Sequence, residues 1–414
     1  MKKLTPVFFV LFGLAIALSA PAAEAPQKKE SPKSLAVTNA RLIDGTGSAP
    51  LENATIIMTN RRFEAVGPKE KIQIPKNADI IDAKGRTVIP GLIDAHIHIS
   101  NFAPSEYDTV TKNESLDGFR AAYRLHQMLM IGVTTVRDLL SPNQVSIMAK
   151  KAYNEGLFVG SRPIVCGEGI TSTGGHGSEG SMIADGADEW RKAVREQLRR
   201  GADFIKLLPP YSREEVTAAI EETHAHQKFV SVHSGMFQAQ YDFIRWAVDA
   251  GADCIEHAYA LPDDVIKKMA EKKIYCVPTV SVLLLIAENA RKTNPERPPL
   301  KQHLEGPEIF RKLHAAGVRM AVGTDAVRDN TLHYPDFYFD EVEFFAAHGY
   351  TPLETIVAAT KTGSEVLFAA DRYGTIEKGK FADLLILGAD PLKDIKALRT
   401  SVQVIIQDGK VIRQ

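Results

Sequence analysis

The chain has 414 residues, 44% of them hydrophobic and 24% charged. That is enough apolar sequence for one large core and a second, smaller unit. A formal net charge of -1 without a block of like charges excludes charge-driven binding to nucleic acid or an acidic membrane surface.

The N-terminus reads as an export signal. Lys2 and Lys3 precede the apolar stretch Val7 to Leu18, which is too short to span a bilayer. Ala20-Pro21-Ala22 supplies the small residues of a cleavage site. Residues 1–22 are therefore expected to be removed and 23–35 to form a linker. The mature protein is expected in the periplasm or secreted, with no membrane attachment. Its three cysteines, Cys166, Cys254 and Cys276, each lie in an apolar strand-like run. That placement points to buried free thiols rather than a disulfide framework.

Residues 36–90 carry short strands with turn signals, and 372–414 resume the same texture. Asp408-Gly409 marks a tight hairpin there. The two ends are expected to fold together as one small β-sandwich domain. Between them, residues 91–371 alternate short apolar strands with amphipathic helices such as Arg213 to His226. Strands are expected at 90–98, Thr134–Arg137, Pro163–Gly167, Phe204–Leu207, Phe229–His233, Cys254–His257, Ile274–Thr279 and Arg319–Thr324. Gly201-Ala202-Asp203 and Gly251-Ala252-Asp253 read as helix stops that lead into strands. Eight such units fit a (β/α)8 TIM-like barrel, which carries its active site at the C-terminal strand ends. An open doubly wound sheet is the alternative, but the glycine fingerprint it uses is missing.

Chemistry concentrates at those strand ends. Asp94-Ala95-His96-Ile97-His98 ends the first strand. Period-two alternation turns both imidazoles to one side, and Asp94 to the same side one layer deeper, where a buried carboxylate needs a partner. Lys206 lies on the fourth strand, His233 ends the fifth, His257 ends the sixth and Asp325 follows the eighth. One such histidine means little; their coincidence on a single rim points to metal.

With these residues in place, the chain resembles the amidohydrolase superfamily over 36–414. The carrying motifs are Pro90 to His98, Gly132 to Asp138, Phe204-Ile205-Lys206, the two strand-end histidines, Gly323-Thr324-Asp325 and Gly374 to Leu384. The resemblance implies two divalent metal ions, usually zinc. His96, His98 and Asp325 would hold the more buried ion, and His233 and His257 the more exposed one. Lys206 would bridge them as a carbon dioxide-derived carbamate, since an ammonium cannot ligate a cation. Imidazole and carboxylate donors suit zinc, and also admit manganese, cobalt or nickel.

Thr171-Ser172-Thr173-Gly174-Gly175-His176-Gly177 is similar to a loop of the imidazolonepropionase-like group. That group includes bacterial Xaa-Pro dipeptidases and N-acyl amino acid hydrolases. There the loop histidine contacts the scissile carbonyl oxygen, which assigns that task to His176. The expected reaction is hydrolysis of a dipeptide or N-acyl amino acid by a metal-bridged hydroxide, with Asp325 moving the proton. Tyr211, Arg213, Tyr259 and Arg328 fall on rim loops and are the expected holders of the product carboxylate. The segment Leu207 to Arg213 runs into a helix sooner than in those peptidases, so proline specificity does not follow. A lactonase or phosphotriesterase would share the whole site; a deaminase would use one metal and lack Lys206. A non-catalytic exported binding protein with a vestigial metal site would have no need of the general base. Other histidines, His126, His224, His226, His303, His314 and His348, fall in helices or loops. Substrate side chains and homo-oligomerisation stay open.

Overall fold

The computed structural model describes residues 34–100, 114–235, 241–293, 295–296, 301–326 and 335–414. The expected export signal, nearly all of the linker and Arg328 lie outside the described residues.

Among the described residues, segments from both sides of the central region enter one eight-stranded sheet. Its path runs Lys410–Arg413, Val402–Gln407, Leu384–Leu387, Thr87–Pro90, Leu35–Leu42, Leu51–Thr59 and Arg62–Pro68, with Asp79–Asp82 paired to Leu35–Leu42. The hairpin at its end turns on Asp408 and Gly409, whose φ angles of 52° and 70° are the left-handed pair that a two-residue turn requires. Alternation gives the sheet two buried faces. Ala54, Ile56, Met58, Val88, Leu384, Ile386, Val404 and Ile406 form a core of their own. Leu385, Leu387, Ile405 and Ile89 face the other way and join the main core.

A β-sandwich was expected here, yet hydrogen bonding makes one sheet. The strand Leu35–Leu42 is irregular between Val37 and Ala40 and is shared by two partners on one side. The first half of that strand pairs with Asp79–Asp82 and the second half with Thr87–Pro90. One strand thereby joins layers that a sandwich would keep apart.

The rest of the chain carries parallel strands between helices. Leu92–Ile97, Val133–Asp138 and Arg162–Val165 form one sheet. Ser181–Ile183, Gly169–Thr171, Ile205–Leu207, Val230–His233, Cys254–Glu256 and Tyr275–Val277 form another, in that order. The strands Gly169–Thr171 and Ser181–Ile183 were not anticipated; they are three residues each, too short to show a period. Residues Arg319 to Thr324, expected as a strand, make isolated bridges instead, Met320 to Cys276 and, just beyond, Ala326 to Ile97.

Local chemistry explains the helix ends. Arg213–Ala225 begins at a capping box, in which Ser212 and Glu215 satisfy each other's backbone N–H groups. Ala187–Arg200 stops at Gly201, whose φ of 108° suits glycine. The aspartates of the two Gly-Ala-Asp stops then tie strands together. Asp203 accepts from the Val165 amide at 3.0 Å and Asp253 from the Val230 amide at 2.7 Å. All three cysteines are buried and free.

Candidate metal centre at the strand ends

Five elements bring the six residues together. His96 lies in Leu92–Ile97 and His98 just beyond it. Lys206 is the middle residue of Ile205–Leu207, His233 ends Val230–His233, His257 directly follows Cys254–Glu256, and Asp325 lies between the bridged residues Met320 and Ala326. His96, Lys206 and His257 are 1–2% exposed and His233 5%. His257 and Asp325 adopt φ angles of 74° and 53°. Non-glycine residues rarely do so, and such strain collects at functional sites. At His257 the left-handed turn also breaks strand alternation, and Glu256 and His257 both reach His96.

Donor atoms of His96, His257 and Asp325 lie within 4.8 Å of one another. Asp325 Oδ1 is 3.0 Å from His98 Nε2 and 3.3 Å from His96 Nε2. His257 Nε2 is 2.9 Å from His233 Nδ1. This grouping crosses the expected division, because His257 stands with His96 and Asp325. Burial alone would raise the Asp325 carboxyl, yet His96, His98 and His257 hold it well below the usual carboxylate range. Burial pushes His233 and His257 well below the ordinary imidazole value, which favours the neutral, ligating form.

The donor set fits divalent metal on a second ground. Lys206 Nζ is buried and has no hydrogen-bond partner among the described residues. Burial pushes its ammonium below the ordinary lysine value. An amine so placed is short of partners that a carbamate and two cations would supply.

His176 sits on the glycine loop with its ring 4.4 Å from that of His233. Its amide donates to the Pro209 carbonyl at 2.9 Å, which ties the loop to the end of the Lys206 strand. Gly175 is required there: a Cβ would lie 2.0 Å from Thr171 Oγ1 and 2.9 Å from the Ser172 carbonyl.

The expected carboxylate holders separate. Tyr259 is buried in the cluster, its hydroxyl 2.9 Å from His233 Nε2 and its ring stacked on His257. Tyr211 is corrected from rim to core. Trp190 and Phe243 pack on its ring, and its hydroxyl donates to the Phe243 carbonyl. Arg213 is exposed at the first turn of its helix. His224 and His226 go to different partners, Asp253 and Glu222. The side chain of His303 lies outside the described residues.

Glu256 and Arg137 escaped the sequence reading although both stand in quoted motifs. They form a fully buried ion pair at 2.5 Å directly behind His96. The available signal was a charged residue inside each apolar strand, at Arg137 and at Glu256, one of either sign.

Residues 87–412 match the amidohydrolase family, and the chain belongs to it. It is 28% identical to the ochratoxinase of Aspergillus niger, over 90% of this chain and 85% of that one. It is 24% identical to the imidazolonepropionase of Geobacillus kaustophilus, over 87% of this chain and 90% of that one. A solved Xaa-Pro dipeptidase with methionine bound in its active site matches at a TM-score of 0.82 and 26% identity, covering 92% of this chain and 100% of that one. The fold class is accordingly a TIM barrel with an additional domain.

Proposed function

We propose that the protein is an exported, binuclear metal-dependent amidohydrolase that cleaves the amide bond of dipeptides or N-acyl amino acids. The family makes it a hydrolase of amide or peptide bonds. The observation that carries the finer reading is the meeting of His96, His98, His233, His257 and Asp325 with a buried, unpartnered Lys206. The dipeptidase and the ochratoxinase among its relatives support the substrate class.

His96, His98, His233, His257, Asp325 and a carbamylated Lys206 would hold two divalent ions, zinc by donor type. Bound there, the ions would lower the pKa of a water molecule and polarise a carbonyl. The chain's own groups do the rest. Asp325, held ionised by three imidazoles, accepts a proton from the attacking water and delivers it to the leaving nitrogen. His176 donates to the carbonyl oxygen as charge grows there. Tyr259, bonded to His233, and Arg213, exposed in the first turn of its helix, are the proposed holders of a product carboxylate.

We also infer a closed (β/α)8 barrel over 91–371, with 36–90 and 372–414 as the small domain. The bridges of Met320 to Cys276 and Ala326 to Ile97 support closure. The deciding experiment incubates metal-replete protein with dipeptides, N-acyl amino acids, a lactone and a phosphotriester. Release of free amino acid is expected. Turnover confined to the lactone or phosphotriester would overturn the reading.

A further inference from the structure

Glu256 is fully buried, and both of its oxygens face donors. Oε1 accepts from Arg137 Nη2 at 2.5 Å and from the Ser231 hydroxyl. The Cys254 thiol lies 3.2 Å from the same oxygen. Oε2 lies 2.7 Å from His96 Nδ1. Arg137 is itself immobilised: its Nε donates to the Ala95 carbonyl at 2.6 Å, and its guanidinium lies 5.4 Å over the Phe204 ring. Ala95 is the residue before His96, so one arginine grips both the carboxylate and the strand that bears the histidine.

The donor rules fix a proton on one nitrogen of His96. Guanidinium only donates and an ionised carboxylate only accepts. With Arg137 fixed on Oε1, Oε2 is left to accept from His96, so Nδ1 carries the proton. The opposite nitrogen, Nε2, 3.3 Å from Asp325 Oδ1, is then the one left to offer a lone pair to a cation. His98 reaches the same tautomer by a neutral route, since its Nδ1 lies 3.0 Å from the Leu140 carbonyl.

We propose that Glu256, locked by Arg137, is the positioning residue that makes His96 offer Nε2 to a divalent cation. The inference rests on the metal-centre reading above. A carboxylate behind an imidazole both orients the ring and strengthens it as a donor. It follows that Arg137 acts on the metal through two intervening side chains.

Glu256→Gln tests this with unusual sharpness. The new amide has one accepting end and one donating end. Arg137 cannot accept, so the amide oxygen turns to Arg137 and the NH2 group faces His96. Nδ1 must then accept, and the proton moves to Nε2, where it blocks ligation. In nitrogen-15 histidine spectra of the metal-free protein, Nδ1 of His96 should change from protonated, the Nδ1–H form, to lone-pair-bearing, its signal assigned with His96→Gln. Zinc affinity, measured by competition with a chelator, should fall about 10–100-fold. Adding Arg137→Met frees the glutamine to turn its oxygen toward His96. The double variant leaves no buried charge unpaired; it should restore the Nδ1–H tautomer and recover part of the lost affinity.

A Glu256→Gln protein that keeps the Nδ1–H tautomer and binds zinc within twofold of wild type overturns the inference. If the single variant does not fold, Arg137→Met with Glu256→Gln is compared with Arg137→Met with Glu256→Leu, which gives His96 no acceptor. Equal tautomers and equal zinc affinities in that pair overturn it too. Failure of the wild type to bind zinc would instead refute the metal reading, and the metal-free spectra would still decide the tautomer.

Discussion

Thr324 donates twice to Asp94, from its amide at 3.1 Å to Oδ1 and from its hydroxyl at 2.8 Å to Oδ2. The same Oδ1 also accepts from the His96 amide at 3.1 Å. Asp94 is the partnered carboxylate that the first strand called for. It joins the strand of His96 and His98 to the turn of Asp325, so both sides of the metal centre share one hydrogen-bonded knot. Thr324→Val keeps the shape and removes the hydroxyl. It should cost about 1–3 kcal/mol, the penalty of a buried acceptor left unmade. Denaturant unfolding of the metal-free protein measures it.

Gly323 stands against the same strand. A Cβ there would lie 2.8 Å from the His96 amide nitrogen, 2.9 Å from His96 Cβ and 2.4 Å from Val277 Cγ1. Gly323→Ala should therefore push His96 away from Asp325. Overpacking of this kind costs about 1–3 kcal/mol. Zinc titration should show a greater loss at this position than in Thr324→Val, because the methyl group presses on the ligand itself.

His176 and Asp325 should fail differently. Asp325→Asn removes a metal ligand and the proton carrier together, so metal content and turnover fall together. His176→Asn should keep its metal and lose about 10²–10³-fold in kcat, the worth of one donor to a developing oxyanion. Gly175→Ala, which distorts the loop beneath His176, should resemble His176→Asn rather than Asp325→Asn. Metal analysis alongside steady-state kinetics separates the two patterns.

A buried carboxylate on helix Phe337–Ala347 gives a pH prediction. Glu341 accepts from the amides of Val280 and Ser281 at 3.0 and 2.8 Å, at the start of helix Val280–Thr293. Burial pushes its carboxyl up from the ordinary 4.5 to about 7, against the pull of those amides. The folded state therefore holds a proton that the unfolded chain releases earlier. Stability from this group is complete below about pH 4.5 and is lost as pH rises through about 7. The loss amounts to roughly 3 kcal/mol. Glu341→Gln cannot titrate, so its stability should decline less steeply across that window. The slopes of unfolding free energy against pH make the comparison, whatever constant offset the amide introduces.

Two arginines on Asp408 should differ in weight. Arg162 is buried and holds Asp383 and Asp408, each at 2.7 Å. Arg61 reaches Asp408 at 2.7 Å from a side chain that is 57% exposed. Arg162→Leu strands buried carboxylates and should cost about 3–5 kcal/mol. Arg61→Ala should cost about 0–1 kcal/mol. Thermal unfolding of the two variants distinguishes them.

Much of this site can be read along the chain because a strand has period two. That rule alone brings His96 and His98 to one side and identifies Asp94 as the buried residue beneath them. The same rule hides Glu256. Alternation sets neighbours on opposite faces, so His257 toward the cluster implies Glu256 away from it, whereas with the left-handed turn at His257 both reach His96. Tyr211 was misplaced for another reason. Its position in a connection is visible in sequence, but Trp190 and Phe243, which enclose it, come from elements on either side. The strand shared by both halves of the single sheet is irregular at Val37 to Ala40, where Asn39 takes a left-handed φ of 51°, and one asparagine in an apolar run is a weak signal for it.

The pairing of Thr87–Pro90 with Leu384–Leu387 has a bearing on how this protein comes into being. The first of these strands leads straight into the residues that carry His96 and His98, and its neighbour is made almost three hundred residues later. During synthesis the whole central region must emerge before the segment ahead of the first ligands gains that support. A messenger cut short near its end would not yield an enzyme missing a dispensable tail. It would yield one whose earliest catalytic strand had lost the partner at its root. The last thirty residues are, in this sense, upstream of the active site.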